Sequence, residues 1–167
     1  MTKVIKYFSA LEFKKYMKGI GFLSYNYNRE NISKEYIENN NFAVISIGNL
    51  EKENGDFDNE LWRNGSNSHW LPNAKNVLNI DFNDVIDNEK GALSELQAQE
   101  ILYFIENNKD KDNWYIHCSA GISRSGAVAS IVYEYLKSNN ESVVIKPEYP
   151  KTPNYYIRKM LNNEMFF

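Results

Sequence analysis

The chain has 167 residues, 43% of them hydrophobic, 14% aromatic and 25% charged, which provides for one core and excludes a disordered segment. Its formal charge of −3 and its scattered lysines supply no basic field for a nucleic-acid partner. One cysteine can form neither an internal disulfide nor a thiolate metal site, and no run reaches the ~18 apolar residues of a membrane span.

The amino terminus, Met1-Thr2-Lys3-Val4-Ile5-Lys6-Tyr7, is too interrupted by charge for a signal peptide, so the expectations are a reducing cytoplasmic setting, no membrane and a monomer. Val4 to Phe8 reads as a first strand. Ser9-Ala10-Leu11-Glu12 is a capping box that opens a helix ending near Gly19 and Gly21, and a second short helix is predicted after Ser33. Phe42-Ala43-Val44-Ile45-Ser46-Ile47 is a nearly continuous apolar run, as a strand buried on both faces requires, and Gly48 and Asn49 end it. From Glu51 to Asn76 the composition turns polar and predicts a long surface loop with short structured pieces. There Trp62, His69 and Trp70 either wall a crevice or, more simply, pin the loop to the domain.

Val77 to Phe82 reads as the next strand, and Ser94-Glu95-Leu96-Gln97 as a second capping box, leading a helix with Ala98, Ile101, Leu102 and Ile105 on one face. Lys109 to Asn113 turns the chain into a short strand, Trp114-Tyr115-Ile116. After Arg124, residues Ala127, Val128, Ile131, Val132 and Tyr135 share one helical face. Pro147, Pro150 and Pro153 punctuate the exit, and Tyr155 to Leu161 reads as a final short helix. Strands alternating with helices predict a single α/β domain with a central, mostly parallel sheet flanked by helices, and a binding crevice at the carboxyl ends of its strands. Tyr25, Tyr27, Tyr36, Tyr155 and Tyr156 read for the most part as half-buried packing.

Between the strand at Trp114 and the helix after Arg124 lies His117-Cys118-Ser119-Ala120-Gly121-Ile122-Ser123-Arg124-Ser125-Gly126. A loop whose successive N–H groups curl round one point, closed by a helix amino terminus, is a ready anion site. The loop residues Ser119, Ala120, Gly121, Ile122 and Ser123 would present those groups, with Gly121 supplying the tight curl. Arg124 could grip two phosphate oxygens with its planar fork. Such a field also favours a thiolate at Cys118, and a thiolate facing phosphorus suggests displacement through a cysteinyl-phosphate that water later hydrolyses. Ser125 could donate a hydrogen bond to the departing sulfur. The leaving oxygen needs a proton, and Asn79-Ile80-Asp81-Phe82-Asn83-Asp84-Val85-Ile86-Asp87 offers three carboxyl groups. Asp84, just past the strand end, is the best placed; Asp87 lies further out and Asp81 within the strand.

Cys-x5-Arg followed by Ser, with His before the cysteine, resembles the phosphate-binding loop of protein tyrosine phosphatases, and the layout is similar to their small dual-specificity branch. The resemblance runs from about Val77 to Val132 and more faintly to Pro153-Asn154-Tyr155-Tyr156, and Ile80-Asp81-Phe82-Asn83-Asp84 fits the branch's Ile-x-x-x-Asp acid segment. It implies no cofactor or metal, and a supporting role for His117, whose ring would hydrogen-bond loop backbone near the cysteine without touching substrate. The uncharged residues Ser119, Ala120, Ile122 and Ser123 favour a monophosphate ester, with phosphotyrosine on a phosphorylated protein preferred because its phenol leaves easily. Two alternatives stay open: a phosphate-binding module without turnover, and an RNA 5′-triphosphate phosphatase, which calls for a more basic surface. Asn154 either orients loop backbone or starts the last helix.

Overall fold

The computed structural model describes residues 1–22, 33–50 and 69–165. Tyr25, Tyr27 and Trp62 lie outside them, as does most of the loop expected from Glu51 onward. Five strands, β1 (Lys3–Ser9), β2 (Phe42–Gly48), β3 (Val77–Asp81), β4 (Asn113–Cys118) and β5 (Val143–Lys146), form one sheet in the order β3-β2-β4-β1-β5. Every adjacent pair is parallel, so the sheet is wholly rather than mostly so. The helices are α1 (Ala10–Gly19), α2 (Lys34–Glu38), α3 (Glu95–Asn107), α4 (Arg124–Ser138) and α5 (Tyr155–Met165).

Local chemistry sets the helix starts. Ser9 and Glu12 make the expected reciprocal capping box on α1, Ser94 and Gln97 make the second on α3, and Ser33 Oγ caps α2 through the Tyr36 N–H. Each satisfies backbone donors that the first helical turn leaves without partners.

Two apolar layers sandwich the sheet. Ile45 and Ile47 of β2, Leu78 and Ile80 of β3 and Trp114, Ile116 and Cys118 of β4 share a core with α3, α4 and α5. Val44, Val77 and Tyr115 share the other with Phe13 and Met17 of α1 and Ile37 of α2. Because side chains alternate along a strand, His117 and Cys118 project from opposite faces. Accordingly, the His117 ring stacks on Phe13 at 4.4 Å between centroids.

Several elements depart from the sequence reading. The strand at Trp114 continues through His117 and Cys118, because Phe8 and Ser9 of β1 extend the pairing to them. The four-residue β5 has no counterpart in the reading; its partner is Lys3 to Lys6, at the other end of the chain. Rather than burying a single face, α4 is buried all round from Arg124 to Val132, sharing its core with α5 and meeting Pro150 and Pro153 at Gly126. The last helix continues to Met165. Segment 69–76 is no surface loop, with His69, Trp70, Leu71 and Asn76 all buried. Tyr36 and Tyr155 are exposed rather than half-buried. No helix among the described residues is long and apolar enough to cross a membrane.

Candidate active site

Cys118 is the last residue of the central strand β4, so the chain leaves the sheet at its carboxyl edge and turns within five residues into α4. The turn is pressed onto the junction of β1 and α1. The Ala10 N–H donates to Ser119 O at 3.2 Å, and Gly121 sits at φ +77°, where a Cβ would lie 2.1 Å from the Ser9 nitrogen. Both the dihedral and the missing space demand glycine there. Ala120 and Ile122 face outward, and Ser119 and Ser123 are half-buried.

Around the sulfur, the Gly121 N–H donates to Sγ at 3.2 Å and Ser125 Oγ lies 3.3 Å away. A thiol donates to that hydroxyl; a thiolate receives from it. The amino terminus of α4 has no side-chain cap, because Ser123 Oγ donates instead to Asp84 Oδ1 at 2.8 Å. The first backbone donor inside the helix to find its partner is Ala127, bonded to Ser123 O at 3.1 Å. The N–H groups ahead of it and the positive end of the helix dipole are therefore directed at the loop.

Arg124 is only 5% exposed. Its Nη1 donates to Phe82 O at 2.8 Å, Gly48 O at 3.2 Å and Asn49 Oδ1 at 2.6 Å, the first two being carbonyls at the ends of β3 and β2. Nε is buried with no partner among the described residues. All three acceptors are neutral, so the guanidinium is fixed in place while its charge has no described counter-ion. Burial of an ion carries an effective cost on the order of several kcal/mol unless an opposite charge completes it. An anion at the Nε edge would supply both the missing acceptor and the missing charge.

Of the three candidate carboxyl groups, the structure brings Asp84 to the loop. Its Oδ1 accepts from Ser123 Oγ and, at 2.7 Å, from Asn154 Nδ2, while none of the described bonds reaches Oδ2. Asp81 points to the α1 side and meets His69 Nε2 at 2.6 Å; Asp87 caps its own neighbour, Asn88. Asn154 fills both roles foreseen for it. Its Oδ1 caps α5 through the Ile157 N–H, its Nδ2 holds Asp84 and Val85 O, and its backbone N–H donates to Ser123 O at 2.9 Å.

His117 sits behind the loop with its ring against the Cys118 backbone, on the side the resemblance implies. Its firm bond joins Nε2 and Ser46 Oγ at 2.7 Å, with the donor set by the tautomer, and Nδ1 meets no partner in strict hydrogen-bond geometry, although the adjacent Cys118 backbone favours the charged ring. Burial first, then the neighbouring His69 charge, pushes its pKa down to about 3. Ser46 Oγ also lies 2.6 Å from His69 Nδ1, so Asp81, His69, Ser46 and His117 form one chain. Trp70 packs 6.2 Å from Phe13, so His69 and Trp70 pin their segment rather than wall a crevice.

Sequence reasoning missed Ser46, the one hydroxyl in an otherwise apolar strand, which is itself a signal that something polar awaits it. It also missed Asn49 as a partner of Arg124. Among the described residues no three His, Cys, Asp or Glu side chains cluster as a metal site. The chain matches no family model, no curated protein and no solved structure.

Two expectations concern stability. Gly121→Ala should cost on the order of 1–3 kcal/mol in urea unfolding, because it combines an unfavourable φ with a backbone clash. For His117 the folded pKa lies below the unfolded value of roughly 6.5, so the unfolded chain binds a proton first as pH falls. The associated stability is whole above about pH 6.5 and is lost between there and about pH 3, at up to about 1.4 kcal/mol per pH unit. His117→Gln should flatten the pH dependence of the unfolding free energy in that window by this amount; equal slopes would contradict it.

Proposed function

We propose that the protein hydrolyses phosphate monoesters through a cysteinyl-phosphate, with phosphotyrosine on a protein as the favoured substrate. The observation that carries this reading is the buried Arg124, held through Nη1 by neutral acceptors with Nε unpartnered, at the start of the helix that follows a loop whose Gly121 N–H already meets the Cys118 sulfur. This pairing is what a dianion next to a nucleophile requires.

In the first step Cys118 Sγ attacks phosphorus, the phosphorus–oxygen ester bond breaks, and the Asp84 carboxyl gives its proton to the leaving oxygen. In the second, Asp84 takes a proton from water as its oxygen attacks phosphorus, and Sγ departs as a thiolate with Ser125 donating to it. Ser119, Ala120, Gly121, Ile122 and Ser123 frame the phosphate with backbone N–H groups, Arg124 takes two of its oxygens, and His117 supports the loop from behind. The uncharged side chains between Cys118 and Arg124 add no further phosphate-binding group.

The test is hydrolysis of aryl phosphates. Cys118→Ser should abolish turnover while still binding inorganic phosphate, and Asp84→Asn should slow a poor leaving group by about 10²–10⁴. An active Cys118→Ser would end the covalent mechanism. Binding without turnover by the unaltered chain would mark a phosphate reader instead.

A further inference from the structure

On the face of the sheet away from the sulfur, four buried or half-buried groups stand in line, each within 2.7 Å of the next: Asp81 Oδ1, His69, Ser46 Oγ and the His117 ring. Ser46 has a single hydroxyl proton and two ring nitrogens to satisfy, so it donates to one and accepts from the other. The Asp81 carboxylate only accepts, which places a proton on His69 Nε2. With His69 neutral, its Nδ1 is bare and Ser46 donates to it. His117 must then donate from Nε2, leaving Nδ1 bare beside the Cys118 backbone. With His69 charged, Nδ1 donates to Ser46, the hydroxyl turns round, and His117 keeps its proton on Nδ1.

We propose that Ser46, His69 and Asp81 are positioning residues that set which nitrogen of His117 carries the proton, and through it the polarity presented to the backbone of Cys118. The inference rests on Cys118 being the nucleophile of the proposed reaction. His117 can act as such a tautomeric element because it stays neutral: it is fully buried, with Phe13 of α1 stacked on it and Trp70 5.6 Å away. The charged and titratable groups described near it include His69 ahead of β3, which holds Asp81 of β3, Arg124 from α4 and the neighbouring Cys118.

The chain has two histidines and one cysteine, so both reporters are unambiguous. Two-bond ¹H–¹⁵N spectra of the full chain, labelled at histidine, are recorded over a series of pH values and show which ring nitrogen carries each proton. His69→Gln identifies the signals. The ring of His117 should move its proton from Nε2 to Nδ1 as His69 gains charge, and the alkylation rate of Cys118 by iodoacetamide should change in the same step. In His69→Gln the tautomer should stay fixed and the step should vanish, leaving the rise with pH that any thiol shows. A His117 tautomer that ignores the charge on His69, a His69 that keeps one charge throughout, or a step that survives His69→Gln overturns the proposal. If tautomer and alkylation move together but no aryl phosphate is cleaved, the phosphatase reading fails and the relay stands. Turnover without the coupled change removes the relay alone.

Discussion

The architecture is organised round a buried positive charge with no described negative one beside it. Arg124 opens α4, yet its guanidinium reaches across to the carbonyl ends of β2 and β3, through Gly48 O and Phe82 O. Those bonds fix the angle at which α4 leaves the sheet, and hence the curl of the five residues between it and Cys118. The curl in turn presses Gly121 onto the β1–α1 junction and brings its N–H to the sulfur. Neutral acceptors orient a cation without neutralising it, which suits a site whose counter-charge arrives with its ligand.

The sheet also divides the chemistry. Period-two alternation sends Cys118 to the side of α3, α4 and α5 and His117 to the side of α1, so consecutive residues serve separate layers. Asp81 and Asp84 are sorted the same way. The former lies at the strand end on the His69 side, and the latter, beyond the strand, turns to Ser123. Two carboxyl groups three residues apart thus never compete for one place.

Much of this was legible in the chain because it is local. The caps at Ser9, Ser33 and Ser94 are spelled within four residues, and so is the glycine that the loop needs. The loop's position between strand and helix follows from hydrophobic period alone. What could not be read is long-range. β5 is four residues long and acquires its identity from a partner at the far terminus. The all-round burial of α4 depends on where α5 settles, and the acceptors of Arg124 include backbone carbonyls, which no side chain announces. Ser46 and His69 meet only once β2 and segment 69–76 are packed. Composition rightly marked that region as polar; it could not reveal that Asn76 and His69 are buried with hydrogen-bond partners inside the protein.

Ser123 is the node that joins the last helix to all of this. Its carbonyl receives the N–H groups of Ala127 and Asn154, its hydroxyl holds Asp84, and Asn154 holds the same carboxyl oxygen from the other side. The carboxyl group is thus clamped by residues drawn from the loop and from the approach to α5, some 70 positions downstream in the chain. A fragment cut after β5 would keep every strand of the sheet and still lose one jaw of that clamp. The smallest piece that keeps the carboxyl group clamped accordingly ends beyond Asn154, and the closing helix, which Asn154 caps, serves the proposed reaction as well as the packing.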